Sequence, residues 1–462
     1  MEELALSGRA LALVPPPDKH QFAAFSKWVM SNMKLLFPNL PVKLQQWSFD
    51  QYNERGNFDK ATKMANTKAY YNDLLRTTPN KKLVSKWSTF KSFVKDEKMA
   101  KCTLFGPEPD TRPRFIQGCT PQAAVSTGMW MCAFQEYLHS EWSTPWLKFA
   151  AGSNLDQISD WLNENFADKQ YFYEDDFTLY DSTFSKSCHD LVMKIYEQAG
   201  LKDEAWAWAI RKAQVNSRGF TRQGHKYVVE GTMKSGVADT CLSNSIVNGL
   251  SHLYAIHKTT GLGLKQIFSQ ISMTLMGDDN LIMTSLKLNV AAMSGVIRGL
   301  GLVPKLHQKQ SVEDVVFLNN RPYPTPDGYQ FAPRIGRLLQ RLGWATDKKV
   351  STAYTHAVYK AFAKSCAHVP VLNKLISQVL AVTKHFDHGL ENSTSVKKEL
   401  QYQLASSNRD LKVTSASYDF LSRVYGVSQV QVQQAENDLA TIRSVPCYIG
   451  SNALEMFILV DQ

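Results

Sequence analysis

The stretch "SMTLMGDDNLIMTS" (272 to 285) sets Gly277, Asp278 and Asp279 between two short apolar runs. Two such runs joined by a Gly/Asp/Asn segment read as a β-hairpin, and the tripeptide suits that turn on structural grounds alone. Two other stretches give it chemical company. Asp176 and Asp181 lie five apart in "QYFYEDDFTLYD" (170 to 181), where an aromatic-rich strand ends in carboxylates. Ser235, Gly236, Thr240 and Asn244 fall in "SGVADTCLSN", a flexible loop running into a helix. Adjacent strands lie about 4.8 Å apart, so a hairpin paired beside the 170–177 strand lets Asp176 and Asp278 face one site. Two such carboxylates repel strongly once desolvated. A divalent cation resolves that repulsion, and hard oxygen donors select Mg²⁺ or Mn²⁺ rather than zinc. Two ions about 3.5–4 Å apart serve in-line phosphoryl transfer.

The elements that must hold these residues follow from periodicity and capping. "FAAFSKWVMSNMKLLF" has the spacing of an amphipathic helix, and "WLKFAAGSNLDQISDWLNENFADK" (146 to 170) reads as another. Asp181-Ser-Thr is a plausible N-cap for "FSKSCHDLVMKIYEQAG", which closes on Gly200. "LNVAAMSGVIRGLG" reads as a helix stopping at Gly, with "LVPKLH" a short strand behind it. Beyond 350 the chain reads as successive helices, and no repeat or low-complexity segment interrupts it.

Composition sets the class. With 462 residues, 44% hydrophobic and 20% charged, the chain is an ordinary globular one, able to hold two to four substructures and too apolar to be disordered. The formal charge is +10, and between Lys43 and Lys101 thirteen Lys or Arg face six Asp or Glu. Clustered cations of this kind suit a phosphate-bearing partner, although a solvated basic surface has the same signature. Seven scattered cysteines without C-x-x-C spacing read as free thiols of a reducing compartment. His385 and His388 read as a helix end rather than a zinc site. No segment has the apolar length of a membrane span, and "MEELALSGRALALVPPP" lacks the form of a signal peptide.

In chain order, D-x4-D, S-G-x3-T-x3-N and G-D-D resemble motifs A, B and C of the palm of viral RNA-dependent RNA polymerases. Ahead of them "FVKDEKMAKCTLFGPEPDTRPRFIQG" (93 to 118) is similar to motif F, with Lys95, Lys98, Arg112 and Arg114 in matching places. Behind them "GLVPKLH" resembles motif D with Lys305, for which Lys309 competes, and "VVFLNNRPYP" the motif E hairpin. The likeness runs from about 90 to 345, and the "FVKDEK…PRFIQ" stretch is similar to that of positive-strand RNA viruses of the tombusvirus and nodavirus kind. Val-Ala-Asp within motif B departs from the Asp-first triplet of tombusvirus-like enzymes, which leaves the lineage open.

The resemblance implies an α+β right-hand polymerase, with an antiparallel-sheet palm (RRM-like core), fingers and an α-helical thumb. Residues 1–45 would be an N-terminal extension and 46–169 fingers; 170–190 palm, 191–230 a fingers insertion, 231–345 palm again, and 346–462 thumb and C-terminal segment. It implies RNA synthesis on an RNA template from ribonucleoside triphosphates, with Mg²⁺ or Mn²⁺ on Asp176, Asp278 and secondarily Asp279. Asp181 and Asn244, with Ser235 or Thr240, would read the ribose 2′-hydroxyl. Lys95, Lys98, Arg112 and Arg114 would meet the triphosphate, and Lys305 would protonate pyrophosphate. The setting implied is the host cytoplasm, in a membrane-associated replication complex anchored by a viral or host partner protein or an upstream region. Two other readings compete: a reverse transcriptase, and a non-catalytic RNA-binding protein on a polymerase-like scaffold. The paired carboxylates argue against the second, since an idle site has no reason to keep them.

Overall fold

Capping residues fix where the helices that carry the site begin. Thr120 accepts the N–H of Ala123 ahead of Pro121 and starts the helix Pro121–Glu141. Asn154 and Gln157 form a reciprocal capping box on Leu155–Asn165. Ser185, not Asp181, caps Lys186–Gln198. The computed structural model describes residues 2–56, 60–95, 113–342, 351–390 and 398–461. Their strands are β1 (Phe90–Val94), β2 (Phe115–Gly118), β3 (Leu147–Phe149), β4 (Tyr171–Asp175), β5 (Asn216–Thr221) and β6 (Lys226–Glu230), then β7 (Ile271–Met276), β8 (Asp279–Thr284), β9 (His307–Lys309), β10 (Asn320–Thr325) and β11 (Gly328–Pro333).

The chain forms two compact units, the first holding the described residues of 1–95, 108–151 and 173–308, the second those of 152–172 and 309–462. The first contains a four-stranded sheet in the order β2-β1-β5-β6, in which β1 runs antiparallel to β2 and parallel to β5. A five-stranded sheet has the order β3-β7-β8-β4-β9, with β7 and β8 an antiparallel hairpin. β7 is almost wholly buried on both faces, with Ile271, Met273 and Leu275 on one and the small hydroxyl residues Ser272 and Thr274 on the other. The helix Thr240–Thr260 is buried continuously from Leu242 to Ile256, so its periodicity is blurred by burial all round.

In the second unit the β10–β11 hairpin and the helices from Ile335 onward share a core built on Tyr323, Leu372, Phe420 and Phe457. Asn163 exchanges two 2.8 Å hydrogen bonds with the backbone of Tyr329, and Ser159 accepts the N–H of Phe331, so the helix Leu155–Asn165 completes the edge of β11. Asp461 is fully buried and accepts from Gly336 N, Tyr425 Oη and Arg334 Nε, which locks the helix Asn452–Val460 into this core. Among the described residues no helix is long and apolar enough to cross a membrane.

Three expectations are corrected. The stretch 146–170 is not one helix: Leu147–Phe149 pairs with β7, and Gly152, at φ 88°, and the Asn154 cap delay the helix to Leu155. The strand read over "LVPKLH" begins only at His307, because Pro304 has no N–H and that of Lys305 is taken by Asp175. Asp181-Ser-Thr forms a short helical turn of its own, Tyr180–Thr183, and caps nothing.

Candidate active site

The β7–β8 register pairs Met276 with Asp279, leaving Gly277 and Asp278 as a two-residue turn. Gly277 takes φ 66°, which a side chain would strain. Its N–H donates to Ser245 Oγ at 2.8 Å and its carbonyl accepts from Asn248 Nδ2 at 3.0 Å, so the helix Thr240–Thr260 grips the turn. β8 lies beside β4, which brings the end of β4 to the same edge. There the strand alternation separates two carboxylates: Asp175 points inward and Asp176 outward, 72% exposed.

Asp175 is fully buried and satisfied, by the N–H of Lys305 at 2.7 Å and by His252 Nε2 at 3.1 Å. His252 continues through Asn280 and Asn248 back to the Gly277 turn, a polar network tying β4, β8 and the helix together. Asp176 faces Lys305 Nζ at 3.7 Å.

Asp278 remains accessible at the tip of the turn, yet the protein crowded around it and the neighbouring Asp176 push its carboxyl up, with Arg114 pulling the other way. Asp279 is half-buried and is pushed up to about 7, first by burial and then by Asp278, Asp176 and Glu174. These carboxylates therefore sense one another across the hairpin edge. Among the described residues no three His, Cys, Asp or Glu side chains already close around a point as a cation cage. The donor chemistry nonetheless fits a hard divalent ion: carboxylates only, with Asp176 raising the proton affinity of Asp278 and both raising that of Asp279.

Asn244 Nδ2 donates to Asp181 Oδ1 at 2.9 Å, and the Asn244 carbonyl accepts from Tyr180 Oη. Burial lifts Asp181 to about 6 against this hydrogen bond; Asp278 adds to the lift, and Arg114 and Arg9 oppose it. Asn244 Oδ1 is buried with no hydrogen-bond partner among the described residues. Ser235 and Thr240 are used differently. Ser235 Oγ donates to Phe115 O at 3.1 Å and Thr240 Oγ1 to Lys234 O at 2.8 Å, so both hydroxyls shape the loop. A Cβ on Gly236 would lie 2.3 Å from Gln117 O, and only glycine lets this loop reach β2.

Lys95 donates its N–H to Arg114 O where β1 and β2 end, which places the two cations on one strand pair. Lys98 and Arg112 lie outside the described residues. Composition and spacing gave no sign of Arg9, nor of the buried cluster beneath the Ser235 loop. There Arg211 Nε meets Asp239 Oδ2 at 2.6 Å, Ser243 Oγ joins the same oxygen, and Lys234 donates to Thr232 O at 2.8 Å. Burial, then Arg211, pushes Lys234 down to about 7. His189 is held well below its ordinary range by burial and Arg211, hence neutral, accepting from Arg211 at Nδ1 and donating from Nε2 to Thr232 O. The adjacency of Lys234 to Ser235 was the one available signal.

A carboxylate-edged hairpin gripped by a buried helix thus stands beside the hydrogen-bonded Asp181–Asn244 pair and a strand end that carries cations. The family described as viral RNA-dependent RNA polymerase matches residues 82–403, and the chain belongs to that family. It is an RNA-dependent RNA polymerase, an enzyme of viral RNA replication. The chain is also 25% identical over 180 residues to the genome polyprotein of bovine viral diarrhea virus (strain SD-1), a match covering 35% of this chain and 5% of the polyprotein. The chain thus matches only a small fraction of that relative's length.

Proposed function

We propose that this chain replicates a viral RNA genome by two-metal phosphoryl transfer, with β4 and the β7–β8 hairpin as its palm. The observation that carries the reading is the placement of Asp278 and Asp279 at the β7–β8 turn, beside the end of β4 that leads into Asp176, at one sheet edge. Asp176 and Asp278, with Asp279 secondary, would hold Mg²⁺ or Mn²⁺, which supplies charge neutralisation at the attacking and leaving oxygens. Asp181 and Asn244 read the 2′-hydroxyl together: the carboxylate accepts its proton, and Asn244 Nδ2, donating to the same carboxylate, holds it in place. A deoxynucleotide leaves those groups unpaired, which disfavours the reverse-transcriptase alternative. Ser235 and Thr240 hold the loop that presents them.

Arg114 and Lys95, with Lys98 and Arg112, neutralise the triphosphate. Lys305, beside Asp176, donates a proton to departing pyrophosphate. The basic 46–169 region serves as fingers, joined by a fingers insertion at 191–230. Residues 170–190 and 231–345 serve as palm, and 346–462 as the helical thumb with the C-terminal segment. The motif F residues support a place near the tombusvirus and nodavirus enzymes. Work in a membrane-associated complex of the host cytoplasm would require an anchoring partner.

The test is to incubate the purified chain with a short unprimed RNA, Mg²⁺ and labelled ribonucleotides. Product complementary to the template, made from ribo- but not deoxynucleotides, is expected. Equal use of both sugars, or addition independent of template, overturns the reading.

A further inference from the structure

The opening segment, residues 2–10, is built into the first unit rather than left as an appendage. Ala5, Leu6 and Ala10 are buried against Phe115 of β2 and Tyr227 of β6. Glu2 accepts the N–H of Gln223, which pins the start of the segment to the β5–β6 turn. Ser182 Oγ donates to the carbonyl of Arg9 at 2.9 Å, which pins its end to the turn that carries Asp181. A cleft results whose wall includes Arg9, Arg114, Asp181, Ser182 and Ser235.

Two guanidinium groups therefore border one cleft with a single carboxylate, and both act on that carboxylate, favouring its ionised form. Planar guanidinium forks bind phosphate oxygens in pairs. The family match begins at residue 82, so it takes in Arg114 and excludes Arg9.

We propose that Arg9 is a nucleotide-binding residue, a second guanidinium that with Arg114 holds the phosphates of the incoming ribonucleoside triphosphate. The inference rests on the nucleotide site placed at Asp181 and Arg114 above. It makes the opening segment part of the substrate site: the buried Ala5, Leu6 and Ala10 fix its position, and the carbonyl of Arg9 is held independently of its side chain. Replacing the side chain thus removes the cation and leaves the anchor.

The experiment is equilibrium titration of the full chain with ATP and with adenosine, for the parent, Arg9→Ala and Arg9→Lys. Expected is an ATP affinity about tenfold weaker in Arg9→Ala, as for loss of one charge-assisted contact, adenosine affinity within twofold, and most of the loss restored in Arg9→Lys. In single-nucleotide addition, KM should rise by the same factor while kcat changes little. An unchanged ATP affinity overturns the proposal. So does an equal fall for ATP and adenosine, which marks a merely structural wall, and so does a parent that binds neither. If Arg9→Ala fails to fold, Arg9→Gln serves, under the same outcomes. The titration needs no turnover, so failure of the catalytic assignment, seen as unimpaired nucleotide addition by Asp278→Ala, is told apart from failure of Arg9.

Discussion

Replacing Asn244 by Ala removes the 2.9 Å hydrogen bond that holds the Asp181 carboxylate ionised against burial. A hydrogen bond to a charged group contributes about 1.5–3 kcal/mol, and the half-buried setting argues for about 1.5. One pH unit corresponds to about 1.36 kcal/mol, so Asp181, which titrates at about 6 in the parent, should move up by about one unit. In the proposed role the ionised form is the hydroxyl acceptor, so the rate of ribonucleotide addition should rise with pH through this titration. Its acid limb should therefore shift about one unit toward alkaline pH in Asn244→Ala. The same substitution frees the carboxylate that is proposed to pair with the 2′-hydroxyl, and selectivity for UTP over dUTP should fall about tenfold. Single-turnover addition of UTP and dUTP on one template between pH 5.5 and 8.5 measures both. Asp279 titrates in the same window, but its contribution is common to parent and variant, so the difference between the two profiles isolates Asp181. An unmoved acid limb with unchanged sugar selectivity refutes the reasoning.

Gly236→Ala forces a Cβ to within 2.3 Å of Gln117 O; thermal melting and nucleotide addition should both be impaired, and normal values for both would show that the loop has room. His252→Ala leaves Asp175 buried without its ring partner and should destabilise by about 3–5 kcal/mol, read from denaturant unfolding; a change under about 1 kcal/mol would discount the pair. Asp181 and Asp279 both titrate above the ordinary carboxylate range, so their contribution to stability is present at acid pH and lost as pH rises through about 6 to about 7. Without divalent cations the melting temperature should fall from pH 5 to pH 8, and added Mg²⁺ should raise it more at pH 8; an equal Mg²⁺ effect at both would contradict this.

The hairpin was legible because a two-residue turn between apolar runs is a local signal, and Gly277-Asp278 forms that turn in the structure. The helix after Thr240 was legible as a long run that follows a Gly/Ser loop and has no Pro within it, even though burial all round blurs its periodicity. The start of Leu155–Asn165 was misread because the Asn154 cap sits inside a stretch whose flanks are apolar enough to look helical. Asp175 went unremarked beside Asp176, since only strand alternation against a known core tells which of two adjacent carboxylates turns inward. His252, Asn248 and Asn280 read as ordinary helix and strand residues, and their network depends on contacts 28 to 77 positions apart. Arg9 is remoter still, with nothing near it in sequence to mark it. Lys98 and Arg112 lie outside the described residues and stand as sequence expectations.

The most direct measurement is nucleotide addition by Asp278→Ala alongside RNA binding by the same protein. In the proposed role Asp278 holds the ion, and its loss removes several kcal/mol of charge stabilisation, so addition should drop by about 10³-fold or more while RNA affinity stays within about twofold. Addition at the parental rate would show that the carboxylate at the hairpin tip does not take part in the chemistry.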